Sequence, residues 1–531
     1  MSEQVDAVVV GAGPNGLVAA IALGDAGWDV VVVEANDEVG GAVRSAEVTR
    51  PGFVTDLFSA FYPLAAASPV IRGLHLEEHG LRWRSAPDPL AHALDDGRAA
   101  LLRSRVDDTA AGLEAEAPGD GQAWAEMFEH WQRVRDPLLD ALFTPLPPIT
   151  STARLLSRLG AAGTLDLARL AVSPVRRMAQ ERFSGDLPAL LLTGNAMHSD
   201  IAPDGAGSAL FGWLLAMLAQ DVGFPVPAGG AGELAAAMRS RAEHVGVQFR
   251  TGSPVVGIDV SRGRAVGVRL GDGSRVGVRR AVLADVPAPA LYRDLLGEAL
   301  LPPRLRTDLD RFQWDSATIK LNWALDRPVP WANDGVRGAG TVHLGVDVDG
   351  FVDFSADLTV GRAPERPFLL FGQMTVSDPS RSPAGTESAW AYSHVPREID
   401  WTGTMLDQQV ERMQAAVERV APGFGDAVSA RHVQSPSDLE GADRSLVGGA
   451  INAGTSGLHQ QLVFRPTPGL GRPETFVSGL YLAGASAHPG GGVHGACGWN
   501  AARAALWNNG RGRSVKRVLN KTVWSRLLRT P

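Results

Sequence analysis

The feature that most constrains this chain is a glycine turn placed between a valine-rich strand and a small-residue helix. Residues 5–10 read as a buried strand, Gly11-x-Gly13-x-x-Gly16 follows at once, 17–26 carries small and apolar residues, and 30–33 is an unbroken run of valine. That order is one βαβ unit. Glycines at those positions let backbone approach a pyrophosphate, whose charge is stabilised at the helix N-terminus. Glu34 closes the second strand 18 residues after Gly16, where a carboxylate accepts ribose hydroxyls and disfavours a 2′-phosphate. Gly11, Gly13, Pro14, Asn15, Gly16, Glu34 and Ala35 are therefore expected to hold a dinucleotide other than NADP.

With 531 residues, 45% of them hydrophobic and 20% charged, the chain is long enough for several domains and apolar enough to bury their cores. A net charge of −8 and a pI near 5.9 give no global basic field, so nucleic acid is not an expected partner. One cysteine, Cys497, excludes internal disulfides, a CxxC redox pair and a multi-thiolate metal site. The opening residues lack a leader pattern, and the longest apolar run, 209–219, is about half of the roughly 20 residues that span a bilayer. A cytoplasmic location is expected. Trp124, Met127, Phe128, Trp131, Leu138 and Leu142 recur at helical spacing and mark a helical insertion; a meander follows at 248–283, strand-rich sequence at 316–395, and a helix from about Val493 to Trp507.

A second glycine cluster, Gly40-Gly41-x-x-Arg44, follows Glu34, and together they resemble the extended FAD fingerprint of glutathione-reductase-type flavoproteins. Gly479-Leu480-Tyr481-Leu482-Ala483-Gly484-Ala485-Ser486-Ala487-His488-Pro489-Gly490-Gly491-Gly492-Val493 is similar to the closing motif of phytoene desaturase-like enzymes. Pro225-Val226-Pro227-Ala228-Gly229-Gly230-Ala231-Gly232 resembles that family's return into the FAD domain, and Val255-Val256 the strand that approaches the adenosine half. Ser435-Pro436-x-Asp438-Leu439-Glu440 and Gln461-Leu462-x-x-Arg465-Pro466 are closest in type to the pyridine nucleotide-disulfide oxidoreductase domain-containing protein 2 group and its bacterial members, although no cysteine pair exists here to exchange disulfides.

The resemblance implies an α/β fold: a discontinuous glutathione-reductase-type FAD-binding Rossmann domain at 1–70, 225–300 and 475–510, plus an α+β substrate domain. The latter has a helical part at 71–224 and a strand-rich part at 301–474. It adds Gly40, Gly41, Arg44, Val256, Gly484, Ser486, Gly491, Gly492 and Val493 to the FAD contacts, with Ser486 standing where relatives often carry an acidic residue. The implied activity is hydride abstraction, as desaturation or dehydrogenation, from an apolar polyene- or isoprenoid-like molecule. Amine oxidation or a redox-neutral flavin isomerisation is the alternative within enzymes, and a non-catalytic lipid-binding escort protein the alternative outside them.

Three residues are candidates for the proton that must leave with the hydride. Lys320 is one of only 3 lysines against 47 arginines and sits in the strand-like run 318–323. If it faces the cofactor it shares its side with Thr318 and Asn322, with Ile319, Leu321 and Trp323 behind. His488 and His494 flank the C-terminal glycines. His75-Leu76-Glu77-Glu78-His79 matches a zinc-peptidase pattern but has no third ligand, so no metal is expected. Ser437 to Glu440 fits a capping box. Residues 511–531 form a basic amphipathic tail, suited to peripheral contact with an anionic inner membrane face or to docking on the protein's own acidic surface.

Overall fold

In the computed structural model, which describes residues 3–510, Glu3–Val10 is a strand, Pro14–Asp25 a helix and Val30–Val33 the next strand. The helix is buried without a break from Gly16 to Leu23, as an element must be when it is apolar on every side. The basic tail at 511–531 lies outside the described residues. No helix among the described residues is long and apolar enough to cross a membrane.

Two seven-stranded sheets organise the chain. The first runs Val255–Ser261, Arg264–Leu270, Arg275–Ala284, Glu3–Val10, Val30–Val33, Gln248–Arg250, with Leu480–Leu482 also paired to Arg275–Ala284. Its central pairings are parallel, which explains the unbroken valines: such strands are covered on both faces. Val10 is the register partner of Ala284, so Gly11 and Asp285 leave the sheet side by side at its carboxyl edge, where open α/β sheets bind ligands.

The second sheet runs Val428–Gln434, Ala317–Leu325, Glu387–Val395, Leu369–Gln373, Ala339–Leu344, Asp88–Ala93, Ala99–Leu102. The last two strands correct the expectation of a helical 71–224: helices dominate only from Val106 onward, and the Asp96-Gly97 turn, with Gly97 at φ +86°, was the hairpin signal before them. Ile319, Leu321 and Trp323 pack with Val410, Met413 and Val417 of the Gly403–Val420 helix in one core. Phe368, Leu370 and Trp390 join the core of the helices Leu187–Met197 and Ser208–Val222 on the other side. The capping box forms two residues earlier than expected, between Ser435 and Asp438.

A fully buried ion pair ties the two sheets' domains. Arg381 Nη2 lies 2.5 Å from Asp56 Oδ2, both side chains at 0% exposure. Asp56 Oδ1 also accepts from Ser45 Oγ at 2.7 Å and the Ala231 amide at 2.8 Å. Removing one partner strands the other charge away from water, which typically costs about 3–5 kcal/mol. Arg381→Met is therefore expected to lower the melting temperature by several degrees, and Asp56→Asn in the same chain to recover part of the loss. A melting temperature of Arg381→Met equal to wild type would refute this role.

Candidate cofactor and active site

The dinucleotide crevice is built where side chains are missing. A Cβ on Gly16 would meet Gly11 O at 2.2 Å, one on Gly13 would meet Asp285 Oδ2 at 2.8 Å, and Gly11 holds φ +93°. Pro14 starts the helix with no side-chain cap, and Asn15 Oδ1 is buried without a protein partner. Glu34 ends the second strand with both carboxylate oxygens held, by the Ala12 amide at 2.7 Å and the Asn36 amide at 2.8 Å. Burial raises its pKa against the pull of those amides. Ala35 beside it is exposed. The chain leading into the Val255–Ser261 strand is tied to Glu34 by the Ser253 amide, and Val256 is 51% exposed there.

Gly40 and Gly41 take φ +120° and +54°, and Gly41 approaches Gly13 so closely that a Cβ would sit 3.1 Å from Gly13 Cα. Arg44 holds that turn by donating from Nε to Gly41 O at 3.0 Å and from Nη2 to Ala442 O at 2.6 Å. These groups fit FAD: a glycine cradle, an unpaired buried amide oxygen and a carboxylate at the ribose position lie along one edge.

The C-terminal loop differs from expectation. Its helix begins at Ala496, not Val493, because Val493 and Gly495 both take positive φ, +54° and +71°. His494 closes that turn: Nδ1 accepts from the Ala496 amide at 3.0 Å and Nε2 donates to Gly490 O at 3.1 Å. Both nitrogens are engaged, and burial drives its pKa down to about 4, so the structure places His494 in the loop's own wiring. His488 is 6% exposed and likewise pushed by burial to about 4. Gly491 faces Asn452, whose Oδ1 would lie 3.0 Å from an added Cβ, and Gly492 holds φ +124°. Gly498 touches the first helix: a Cβ there would fall 1.8 Å from Asn15 O.

Cys497 is fully buried, its thiol pushed by burial up to about 12, with Sγ 3.4 Å from Gly490 O. It packs a tight contact. His75 takes φ +54° outside the short turn Leu76–His79, so the zinc-like pattern never presents two imidazoles on a helical face.

Ser486 is engaged away from any cofactor, donating to Ala453 O at 2.8 Å and accepting from the Ala288 amide at 3.0 Å. The acidic group of this region is instead Asp285, which the sequence reading missed. Its Oδ2 accepts from the Gly16 amide at 2.7 Å, and Oδ1 would lie 3.2 Å from a Cβ on Gly484. The signal was available: Asp285 follows directly on a strand of the parallel core, at its carboxyl end. Arg465, also missed in its role, is 1% exposed and donates to the carbonyls of Asn452, Thr455 and Ala485 at 3.0, 3.0 and 2.8 Å. It anchors the segment carrying Asn452 to the C-terminal loop.

Lys320 faces inward at 3% exposure. Its Nζ donates to the carbonyls of Asp56 and Phe58 and lies 5.3 Å from the centre of the Trp390 ring. The segment it touches is joined to the glycine turn, since the Leu57 amide donates to Arg44 O and the Ser59 amide to Ala42 O. Burial pulls its pKa down to about 7, with Asp56 opposing and Arg381 adding to the shift. Lys320, Tyr392, Leu370, His343 and His92 form one register row across the sheet, and Ile319, Leu321 and Trp323 pack behind as expected.

Asp285 also sets a pH dependence. Burial first, then the carboxylates of Asp443 and Glu34, raise its pKa to about 7 against the Gly16 amide. A carboxyl raised from 3.8 to about 7 on folding binds more protons folded than unfolded, so stability falls as pH rises through that window. Cofactor-free protein is expected to melt at lower temperature at pH 8 than at pH 5, and Asp285→Asn to flatten the difference. An unchanged slope in the variant would show that another group titrates.

Residues 15–506 match the family described as flavin containing amine oxidoreductase. The chain is 30% identical to pyridine nucleotide-disulfide oxidoreductase domain-containing protein 2 of Mus musculus, over 95% of this chain and 94% of that one. It is 25% identical to the neurosporene-forming phytoene desaturase of Rhodobacter capsulatus, over 92% of this chain and 91% of that one. An oxidoreductase from Methanosarcina mazei shares the fold, with a TM-score of 0.62 at 16% identity over 94% of this chain and 100% of that one. With the glycine cradle, Glu34 and the C-terminal loop in place, the chain belongs to the flavin containing amine oxidoreductase family and is a phytoene desaturase-like FAD-dependent oxidoreductase.

Proposed function

We propose that this protein abstracts hydride from an activated C–H bond of an apolar, polyene- or isoprenoid-like small molecule. The observation that carries the reading is a buried amine on an aromatic sheet face beside the cofactor turn. Phe61 lies 5.9 Å from Trp390, Trp390 stacks on Tyr392 at 6.0 Å, and Lys320 Nζ sits over Trp390. The desaturase name of the Rhodobacter relative supports the same class of substrate. Bound FAD supplies the two-electron acceptor for the hydride. Gly11, Gly13, Gly16, Glu34, Gly40, Gly41 and Asp285 would hold its dinucleotide part, and Gly490, Gly491, Gly492 and Asn452 would border its ring.

The chain's own chemistry is then proton handling and exclusion of water. Lys320 Nζ keeps two carbonyl partners in either state and takes up the proton leaving the neighbouring carbon when it is neutral, above about pH 7. The aromatic wall and the Asp56–Arg381 pair keep that amine dry. Lys320→Met roughly keeps length and deletes the amine. In anaerobic mixing with a polyene or isoprenoid substrate it is expected to slow flavin reduction by about 10²–10⁴, with cofactor content retained. The wild-type rate should rise as pH passes about 7, and the variant should lose that rise. Wild-type kinetics in the flavin-loaded variant would make Lys320 a structural tie only.

The cofactor is expected to be non-covalent, since the one thiol is buried and held as thiol. Denaturation should release all of the yellow chromophore, and flavin retained on the denatured chain would refute this. The basic stripe at 511–531 is proposed to rest on anionic membrane surfaces. Deleting it should weaken flotation with phosphatidylserine vesicles and leave flavin bound; equal flotation of both forms would favour docking on the protein itself.

A further inference from the structure

The sheet face beside the cofactor turn is not a hydrocarbon surface. Thr318 and His394 are direct register partners on adjoining strands, at 3% and 1% exposure. Neither His394 ring nitrogen nor the Thr318 hydroxyl has a protein partner. Neighbouring polar groups do: His198 and His343 pair Nε2 to Nε2 at 2.9 Å, His92 Nε2 is 2.8 Å from Val346 O, and Asn322 Nδ2 donates to Gln434 Oε1 at 3.0 Å. The unmatched groups are therefore confined to one spot of an otherwise satisfied network. That spot adjoins the site, because His394 meets the Tyr392 ring edge-on at 5.6 Å and Thr318 lies two residues along the strand from Lys320. The Thr318 amide nitrogen abuts Gly449, whose segment runs to Asn452 against Gly491.

Buried donors and acceptors in native proteins are matched. We infer that the substrate is an apolar molecule bearing a hydroxyl or carbonyl oxygen, read by His394 and Thr318. A neutral imidazole offers one donor and one acceptor and the hydroxyl offers both, which matches an uncharged oxygen function. A pure hydrocarbon leaves all three atoms unpaired. The inference rests on the reading of this site as a dehydrogenase of apolar molecules.

The test uses FAD-loaded protein, with perturbation of the flavin absorption spectrum as a binding readout independent of turnover. Farnesol and farnesal are compared with the hydrocarbon farnesene, in wild type, Thr318→Val and His394→Leu. The oxygenated compounds are expected to bind about tenfold or more tightly than farnesene, and each variant to lose most of that preference while flavin loading and melting temperature confirm its fold. Equal binding of all three compounds by wild type, no binding of any, or a preference unchanged in both variants would overturn the inference, the last by showing that water or packing satisfies these groups. Preferential, variant-sensitive binding without anaerobic flavin reduction would leave this inference standing and count against the dehydrogenation reading.

Discussion

Asp56 is the point on which the two halves of the molecule close. Its carboxylate gathers Ser45 and Ala231 from two separate stretches of the cofactor domain and the Arg381 guanidinium from the other, while its carbonyl receives Lys320. Taking such charges out of water costs several kcal/mol per ion, and only pairing with further hydrogen bonds offsets it. Asp56 has both. The pair also decides what Lys320 can do. With the Asp56 carboxylate committed to Arg381, the ammonium has carbonyl partners but no carboxylate of its own, and burial outweighs the remaining attraction. A tie that holds the domains together thus leaves an amine able to exchange a proton near neutral pH.

The cofactor crevice depends on a different constraint, the approach of backbone to backbone. Gly498 lets the last helix touch the first at Asn15 O, and Gly41 lets the second turn lie on Gly13. Any Cβ at these places would separate elements nearly 500 residues apart in sequence. Asp285 sits in the same crowd, close to Gly11, Gly13, Gly16 and Gly484. A carboxyl there accepts the Gly16 amide while sharing its surroundings with Glu34 and Asp443, so the crevice holds more negative charge than its glycines reveal.

What the sequence made legible was local. The strand, turn and helix at 3–25, the all-valine strand and Glu34 are read from neighbours in the chain, and the alternation around Lys320 correctly separated its polar face from the Ile319, Leu321 and Trp323 face. Residues whose meaning comes from pairing across the fold stayed hidden. Arg381 is one arginine among 47 until it meets Asp56. His394 gains significance only from its register with Thr318. The late start of the last helix was hidden for another reason: a valine at φ +54° is costly, and only the His494 cap and the Gly498 contact explain why the chain accepts it there.

The same face weighs desaturation against amine oxidation. Recognising a protonated amine calls for an unpaired carboxylate or an aromatic enclosure. Trp390 and Tyr392 do stack, but their centroids stand 6.0 Å apart with planes 13° from parallel, while a group sandwiched between two rings needs about 7 Å, twice the ordinary carbon contact. They form a shelf. The charged groups nearest it are Lys320 and Arg381, whose one fully buried carboxylate neighbour, Asp56, is already paired. An ammonium substrate would meet repulsion there, whereas a neutral apolar chain gains contact area against Phe61, Trp390 and Tyr392 and leaves the Lys320 amine free to accept its proton.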